Sequence, residues 1–154
     1  MFSDIAIPKN NEEEFIEIAS RLGIKKLCFL YDFDEYKQEV HKKNLESNKK
    51  IDLENGFIVN QKNMNRASQY SKLLFVKSSD KDRFFIESKK IKLIYGFEDV
   101  NRKDYLHQRA SGLNHVLCEL ANKNNVAVGF SYSSLIGNNS AVSSLIMGRM
   151  MQNI

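Results

Sequence analysis

One proline, seven glycines, two cysteines, three histidines and no tryptophan are spread over 154 residues, and each scarcity removes a class of protein. Pro8 alone cannot build a polyproline spacer or a Pro-rich linker. The glycines are scattered, so no Walker loop or dinucleotide fingerprint is present. Cys28 and Cys118 do not form a Cys-x-x-Cys pair, which argues against a disulfide framework or a Cys-rich zinc site. One lies in a predicted strand and the other in a predicted helix, so both are read as buried, reduced thiols. His41, His107 and His115 are too few for a centre that gathers several imidazoles on metal ions. There is no Gly-x-Ser-x-Gly elbow, and Ser131-Tyr132-Ser133-Ser134 reads as a cap or turn after a strand. Long apolar runs are missing too. Nothing reaches the length of a membrane span, no basic region followed by an apolar one opens the chain, and the default expectation is a cytoplasmic protein with no membrane partner.

What is present is an ordinary globular composition, 42% hydrophobic and 27% charged, long enough for one domain with a working core. Twenty-three Lys plus Arg against nineteen Asp plus Glu give a net charge of +4, which permits a polyanionic partner without requiring one.

Strand-like and helix-like stretches alternate along the chain. Phe2 to Ile7 is a short strand closed by Pro8. Asn11 then stands as N-cap to a helix that opens on Glu12, Glu13 and Glu14, with Phe15, Ile18, Ala19 and Leu22 as its buried stripe and Gly23 as its stop. Residues 26–31 form a near-continuous apolar run, the pattern of a strand covered on both faces. Asp34 to about Asn48 is charged and helix-permissive. Further strands are predicted at 56–59, 73–76, 91–95 and 126–130. Asn60 to Lys72 reads as a polar loop or ragged helix, and Ser79 with Asp80 caps a helix carrying Phe84, Phe85 and Ile86. A short helical turn at 131–137 and a last helix at 140–153 complete the chain. The sixteen Tyr and Phe fall mainly on strands and buried stripes, which argues core rather than a base-stacking platform. Alternation of this kind predicts an α/β fold with a mainly parallel sheet, either doubly wound or part of a barrel.

The chemistry concentrates between Asn101 and Ser131. A polar, basic loop follows a strand and leads into a helix predicted to start at Ser111-Gly112, with Leu113, Val116, Leu117, Leu120 and Ala121 on one stripe and His115 off it. The carboxyl ends of parallel strands are where α/β folds usually build function. Arg102, Lys103 and Arg109 can neutralise phosphates there, Ser111 and the first helical N–H groups can add hydrogen bonds, and His115 can donate to a phosphate or a 2′-hydroxyl. The alternative is a solvated loop capped by Ser111 with His115 packed on its neighbours, and the residues alone do not choose.

The string Ser111-Gly112-Leu113-Asn114-His115-Val116-Leu117-Cys118-Glu119-Leu120-Ala121, followed by Asn124-Asn125-Val126-Ala127-Val128-Gly129-Phe130-Ser131, resembles the signature of the archaeal and eukaryotic p30-type protein subunit of ribonuclease P. The resemblance implies a partial TIM-like barrel, distantly like the metal-dependent phosphoesterase barrels, spanning residues 1–154 as a single α/β domain and lacking the family's last βα units. It implies that Arg102 or Arg109, Ser111, Asn114, His115, Lys123 and Arg149 contact RNA or a partner protein. Lys123 and Arg149 also read as plain surface charge, and Glu119 stands where relatives often carry lysine. The implied partners are ribonuclease P RNA, precursor tRNA and a second ribonuclease P protein subunit of the Pop5 type. The chain itself would be non-catalytic and bind no cofactor, Mg²⁺ belonging to the RNA. Two other readings stand beside this one: a divergent metal-dependent phosphoesterase-type hydrolase, and a protein-binding scaffold using an open sheet edge and the Met-rich last helix.

Overall fold

The computed structural model describes residues 3–36, 51–99 and 112–154. Their contacts divide into two compact units, Met1–Phe75 and Val76–Ile154.

The first unit opens with β1 (Ser3–Ala6), α1 (Glu12–Arg21) and β2 (Lys26–Asp32). It continues through β3 (Asp52–Ile58), the single helical turn α2 (Met64–Ala67) and the start of β4 (Leu74–Lys77). β1 pairs with β2, β2 with β3 and β3 with β4, each in parallel. Leu27, Cys28, Phe29 and Leu30 are buried in succession, as expected of a strand covered on both faces. Ala6, Ile16, Ala19, Leu27, Phe29 and Ile51 form one apolar cluster. Aromatic rings extend this packing, with Tyr36 and Phe57 at 4.6 Å and Phe33 and Phe57 at 5.3 Å between centroids.

The start of α1 differs from the sequence expectation in two ways. Glu12, Ile16 and Ala19 are buried, whereas Ile18 and Leu22 are exposed, so the inward stripe is rotated from the predicted one. Apolar residues at 15, 16, 18, 19 and 22 spread over an arc of about 160°, wider than the buried stripe, and packing against β1 and β2 chose among them. Asn11 occupies the N-cap position, but its Oδ1 accepts from the N–H of Lys9 at 2.8 Å instead of capping the helix. The other end follows expectation: Gly23 has φ +72°, and the N–H groups of Gly23 and Ile24 donate to the carbonyls of Ser20 and Ala19. That is the two-bond left-handed stop that glycine favours. The helix predicted from Asp34 begins instead as a turn at residues 33–35, and the rest of that prediction lies outside the described residues.

The second unit holds the end of β4, α3 (Asp82–Glu87), β5 (Leu93–Tyr95) and a 3₁₀ turn at Phe97–Asp99. Then come α4 (His115–Asn124), β6 (Ala127–Gly129), α5 (Tyr132–Ile136) and α6 (Ser140–Gln152). β5 and β6 pair in parallel, and the N–H of Ser78 donates to the carbonyl of Tyr95 at 2.7 Å. Phe85, Ile86, Ile91, Ile94, Phe97, Val126 and Ile146 are buried here. On α6, Ile146 and Met150 face inward while Met147 and Met151 are exposed.

The strands run in the order β1-β2-β3-β4-β5-β6. A doubly wound sheet reverses direction at a switch point, and ligands sit there. This order has no reversal, so of the two topologies open to the sequence pattern the chain adopts the one found in barrels. The fold is α/β, with alternating strands and helices in a parallel sheet, consistent with part of a TIM-like barrel.

Candidate functional site

The turn at Phe97–Asp99 is where the second unit draws its polar groups together. It follows β5 directly, since Gly96 has φ +82° and its carbonyl accepts the N–H of Asp99 at 3.1 Å. Glu98 is fully buried, although it is an acid. Its Oε1 accepts the backbone N–H of Ser131 at 2.7 Å, just beyond the end of β6. Its main-chain carbonyl accepts from Nη1 of Arg149 at 3.2 Å, on α6. Lys77, at the end of β4, pairs with Asp99 at 3.2 Å.

The stretch leading into α4 closes on the same turn. Gly112 has φ +80°, and a Cβ placed on it would lie 2.9 Å from the carbonyl oxygen of Phe97, closer than side chains approach backbone. Only glycine allows both the left-handed conformation and that contact. Gly129 is more weakly constrained: its missing Cβ would meet the side chain of Leu93 at 3.1 Å, which a small shift of that side chain would relieve. Gly112, Gly129 and Ser131, separated in sequence, therefore each hold β5 or the turn after it. The residue types in the sequence signature have a mechanical reason.

α4 starts at His115 and not at Ser111-Gly112. Asn114 is its N-cap, with extended backbone and Oδ1 accepting from the N–H of Leu117 at 2.9 Å. Asparagine and serine cap equally well, so two candidates three residues apart gave no reason in sequence to prefer the second. His115 is thus the first residue of the helix, exposed at its positive end. The predicted stripe survives in part: Ala121 is buried and Leu113, Leu117 and Leu120 are half-buried, but Val116 is exposed. Cys118 is exposed as well, which corrects the expectation that both thiols are buried; Cys28 is buried and both are free. Burial pushes the Cys28 thiol up to about 11.

Of the predicted contact residues, Asn114 and His115 come together at the start of α4. Arg102, Lys103, Arg109 and Ser111 lie outside the described residues. Lys123 is exposed in the last turn of α4, eight residues from His115 and so about 12 Å along the axis. Arg149 is only 7% exposed and is not solvated surface charge; it is built into the packing around Glu98. Glu98 itself was not among the candidates. The available signal was weak, an acid directly after the run Leu93-Ile94-Tyr95-Gly96-Phe97 and close behind a predicted strand.

The first unit has a cavity of about 450 Å³. Glu12, Asp32, Glu35 and Lys9 are among its lining residues, with Tyr31 and Tyr36. The Tyr31 hydroxyl donates to Glu12 at 3.3 Å, and burial followed by the Glu12 charge raises its pKa. With more carboxylates than cations, this cavity does not suit a phosphate. Among the described residues, no three His, Cys, Asp or Glu side chains are placed to share a metal ion, and no helix is long and apolar enough to cross a membrane.

No protein-family model matches the chain, and no curated protein matches it in sequence. Among solved structures, its fold is similar to a chain in the "cryo-EM structure of archaeal Ribonuclease P with mature tRNA", with a TM-score of 0.75. The two are 18% identical, and the match covers 99% of this chain and 67% of the other.

Proposed function

We propose that this chain is a p30-type protein subunit of ribonuclease P, supporting the catalytic RNA in removal of the 5′ leader from precursor tRNA. The observation that carries the reading is the likeness of fold, over nearly the whole chain, to a chain of an archaeal ribonuclease P structure. The signature residues add to it independently, since Gly112, Asn114, Gly129 and Ser131 hold one turn and one helix start in place. In this reading residues 1–154 act as one α/β domain in the cytoplasm. The other partners are a Pop5-type protein subunit and precursor tRNA.

The chemistry belongs to the RNA, whose bound Mg²⁺ assists phosphodiester hydrolysis, and the protein binds no cofactor. Its contribution is electrostatic. Cations of the loop ahead of α4, Arg102, Lys103 and Arg109, offset phosphate repulsion so that the RNA folds at lower Mg²⁺. Ser111 and His115, with the N–H groups at the start of α4, add hydrogen bonds to phosphate or ribose. Lys123 provides a separate contact at the other end of the helix. Arg149 is the buried member of the set, and it holds the turn after β5 through the Glu98 carbonyl.

Reconstitution with ribonuclease P RNA and precursor tRNA tests this. The chain alone is expected to cleave nothing, and adding it to the RNA with its partner subunit is expected to lower the Mg²⁺ needed for cleavage. Arg109→Ala with His115→Ala should reverse much of that gain. Cleavage by the purified chain without RNA, or an unchanged Mg²⁺ requirement when the chain is left out, would overturn the proposal.

A further inference from the structure

The crossover between β3 and β4 lies in the first unit, away in sequence from the signature. Residues 55–79 contain no Asp or Glu, yet they carry Lys62, Arg66, Lys72 and Lys77 in a chain with nineteen acids. Helical hydrogen bonds extend beyond α2 on both sides. Met64 N–H donates to the carbonyl of Asn60 at 3.0 Å, Ala67 N–H to that of Asn63 at 2.9 Å, and Ser71 N–H to that of Ala67 at 3.2 Å. Lys62, Arg66 and Tyr70 are therefore spaced i, i+4 and i+8 on one face. Asn63, Met64 and Ala67 are buried beside it.

Two side chains of that face meet a single ring. The Arg66 guanidinium lies over Phe33, 5.1 Å from its centroid, and the Tyr70 ring packs against the same Phe33 at 5.7 Å. Tyr70 nevertheless remains 54% exposed. Lys62, Arg66 and Lys72 are exposed, and among the described residues none of the three is in an ion pair. Among the described residues Asp34 reaches this crossover, and it accepts from the side-chain amides of Asn60 and Asn63 at 3.4 and 2.9 Å. The arrangement is a set of exposed cations around an open aromatic ring held on one side by a tilted contact with Phe33, the pairing of phosphate neutralisation and base stacking that single-stranded nucleic acid requires.

We infer that the crossover from Asn60 to Lys72 is a second RNA-contact surface, taking an unpaired stretch of RNA with Tyr70 stacked on a base and Lys62, Arg66 and Lys72 on phosphates. This rests on the ribonuclease P reading for the identity of the RNA. It names a surface the signature does not include.

The test uses the full chain and an archaeal ribonuclease P RNA transcript, with binding measured between 50 and 200 mM salt. Each phosphate contact to a single strand contributes about 0.7 to the salt slope, so Lys62→Gln/Arg66→Gln/Lys72→Gln should flatten it by about 2. Tyr70→Ala should leave the slope unchanged and weaken binding about tenfold. Ultraviolet crosslinking should attach RNA to the peptide carrying Tyr70. Because Arg66 packs on Phe33, Lys62→Gln/Lys72→Gln serves as a second variant that leaves that contact intact, with a slope reduction of about 1.4. An unchanged slope in both variants, with the wild type binding and supporting cleavage, overturns this surface and leaves the ribonuclease P reading standing. So does loss of RNA crosslinking at this peptide in favour of docking of an acidic protein. A wild-type chain that binds no RNA overturns both.

Discussion

Gly112 and Gly23 make a matched pair on which the role of the turn after β5 can be measured. Both have left-handed backbone, φ +80° and +72°, so alanine pays a conformational penalty of roughly 1–2 kcal/mol at either site. Their surroundings differ. A Cβ at Gly23 would meet nothing within 4 Å, whereas at Gly112 it would press on the Phe97 carbonyl at 2.9 Å. A backbone oxygen cannot swing aside as a flexible side chain can, and relieving such a clash costs about 1–3 kcal/mol more. Gly23→Ala should therefore cost about 1 kcal/mol and Gly112→Ala about 3 kcal/mol. For a chain of this length each kcal/mol moves the melting midpoint by about 2–4 °C. Thermal unfolding followed by circular dichroism should show a drop of about 3 °C for the first and about 9 °C for the second. Equal drops would mean that Gly112 is present for its backbone angle alone and that the contact with Phe97 does not hold the turn.

Asn114→Ala removes the cap of α4 and should cost about 1 kcal/mol, read in the same melts, with Asn114→Asp restoring most of it. Full stability in the alanine variant would show that the cap is not formed. Glu98→Ala leaves the Ser131 N–H without its acceptor and opens a cavity, for about 3 kcal/mol in urea titration, while Glu98→Gln keeps an acceptor and should cost less than half of that. Equal losses would remove the hydrogen bond from the account. A thiol reagent at pH 8 should modify Cys118 in the folded chain and Cys28 only after unfolding. The unfolded Cys28 thiol ionises near its ordinary 9.0 and the folded one near 11, so the unfolded chain releases its proton first and stability falls as pH rises across that interval. In Cys28→Ala the part of the alkaline loss due to this thiol should vanish, and an unchanged profile would refute the assignment.

Elements with one apolar phase or one obvious stop were legible in the sequence. Gly23 ended its helix, the apolar run at 26–31 became a doubly covered strand, and α5 and α6 formed where Ser131 to Gly137 and Ser140 to Asn153 placed them. Where the chain offered two equivalent choices, tertiary packing decided. α1 could turn either Ile16 or Ile18 inward, and α4 could start at Ser111 or Asn114. The burial of Glu98 and Arg149 was illegible for another reason. Charged side chains are almost never fully buried without partners, and their partners here, Ser131 and the Glu98 carbonyl, lie 33 and 51 residues away. Local patterning carries no information about such separations.

The uninterrupted strand order has a kinetic side. Because each strand lies beside its sequence neighbours, the sheet is assembled from closures of modest length, and loop-closure entropy grows only as the logarithm of that length. A chain emerging from the ribosome can dock β1 on β2 and then β3 on that pair before β4 exists, without leaving a gap for a later strand to enter. No pairing has to wait for a strand from the far end of the chain, which favours stepwise assembly from the amino terminus. Gly112, Ser131 and then Arg149 would reach the turn at Phe97–Asp99 only after the first four strands have docked.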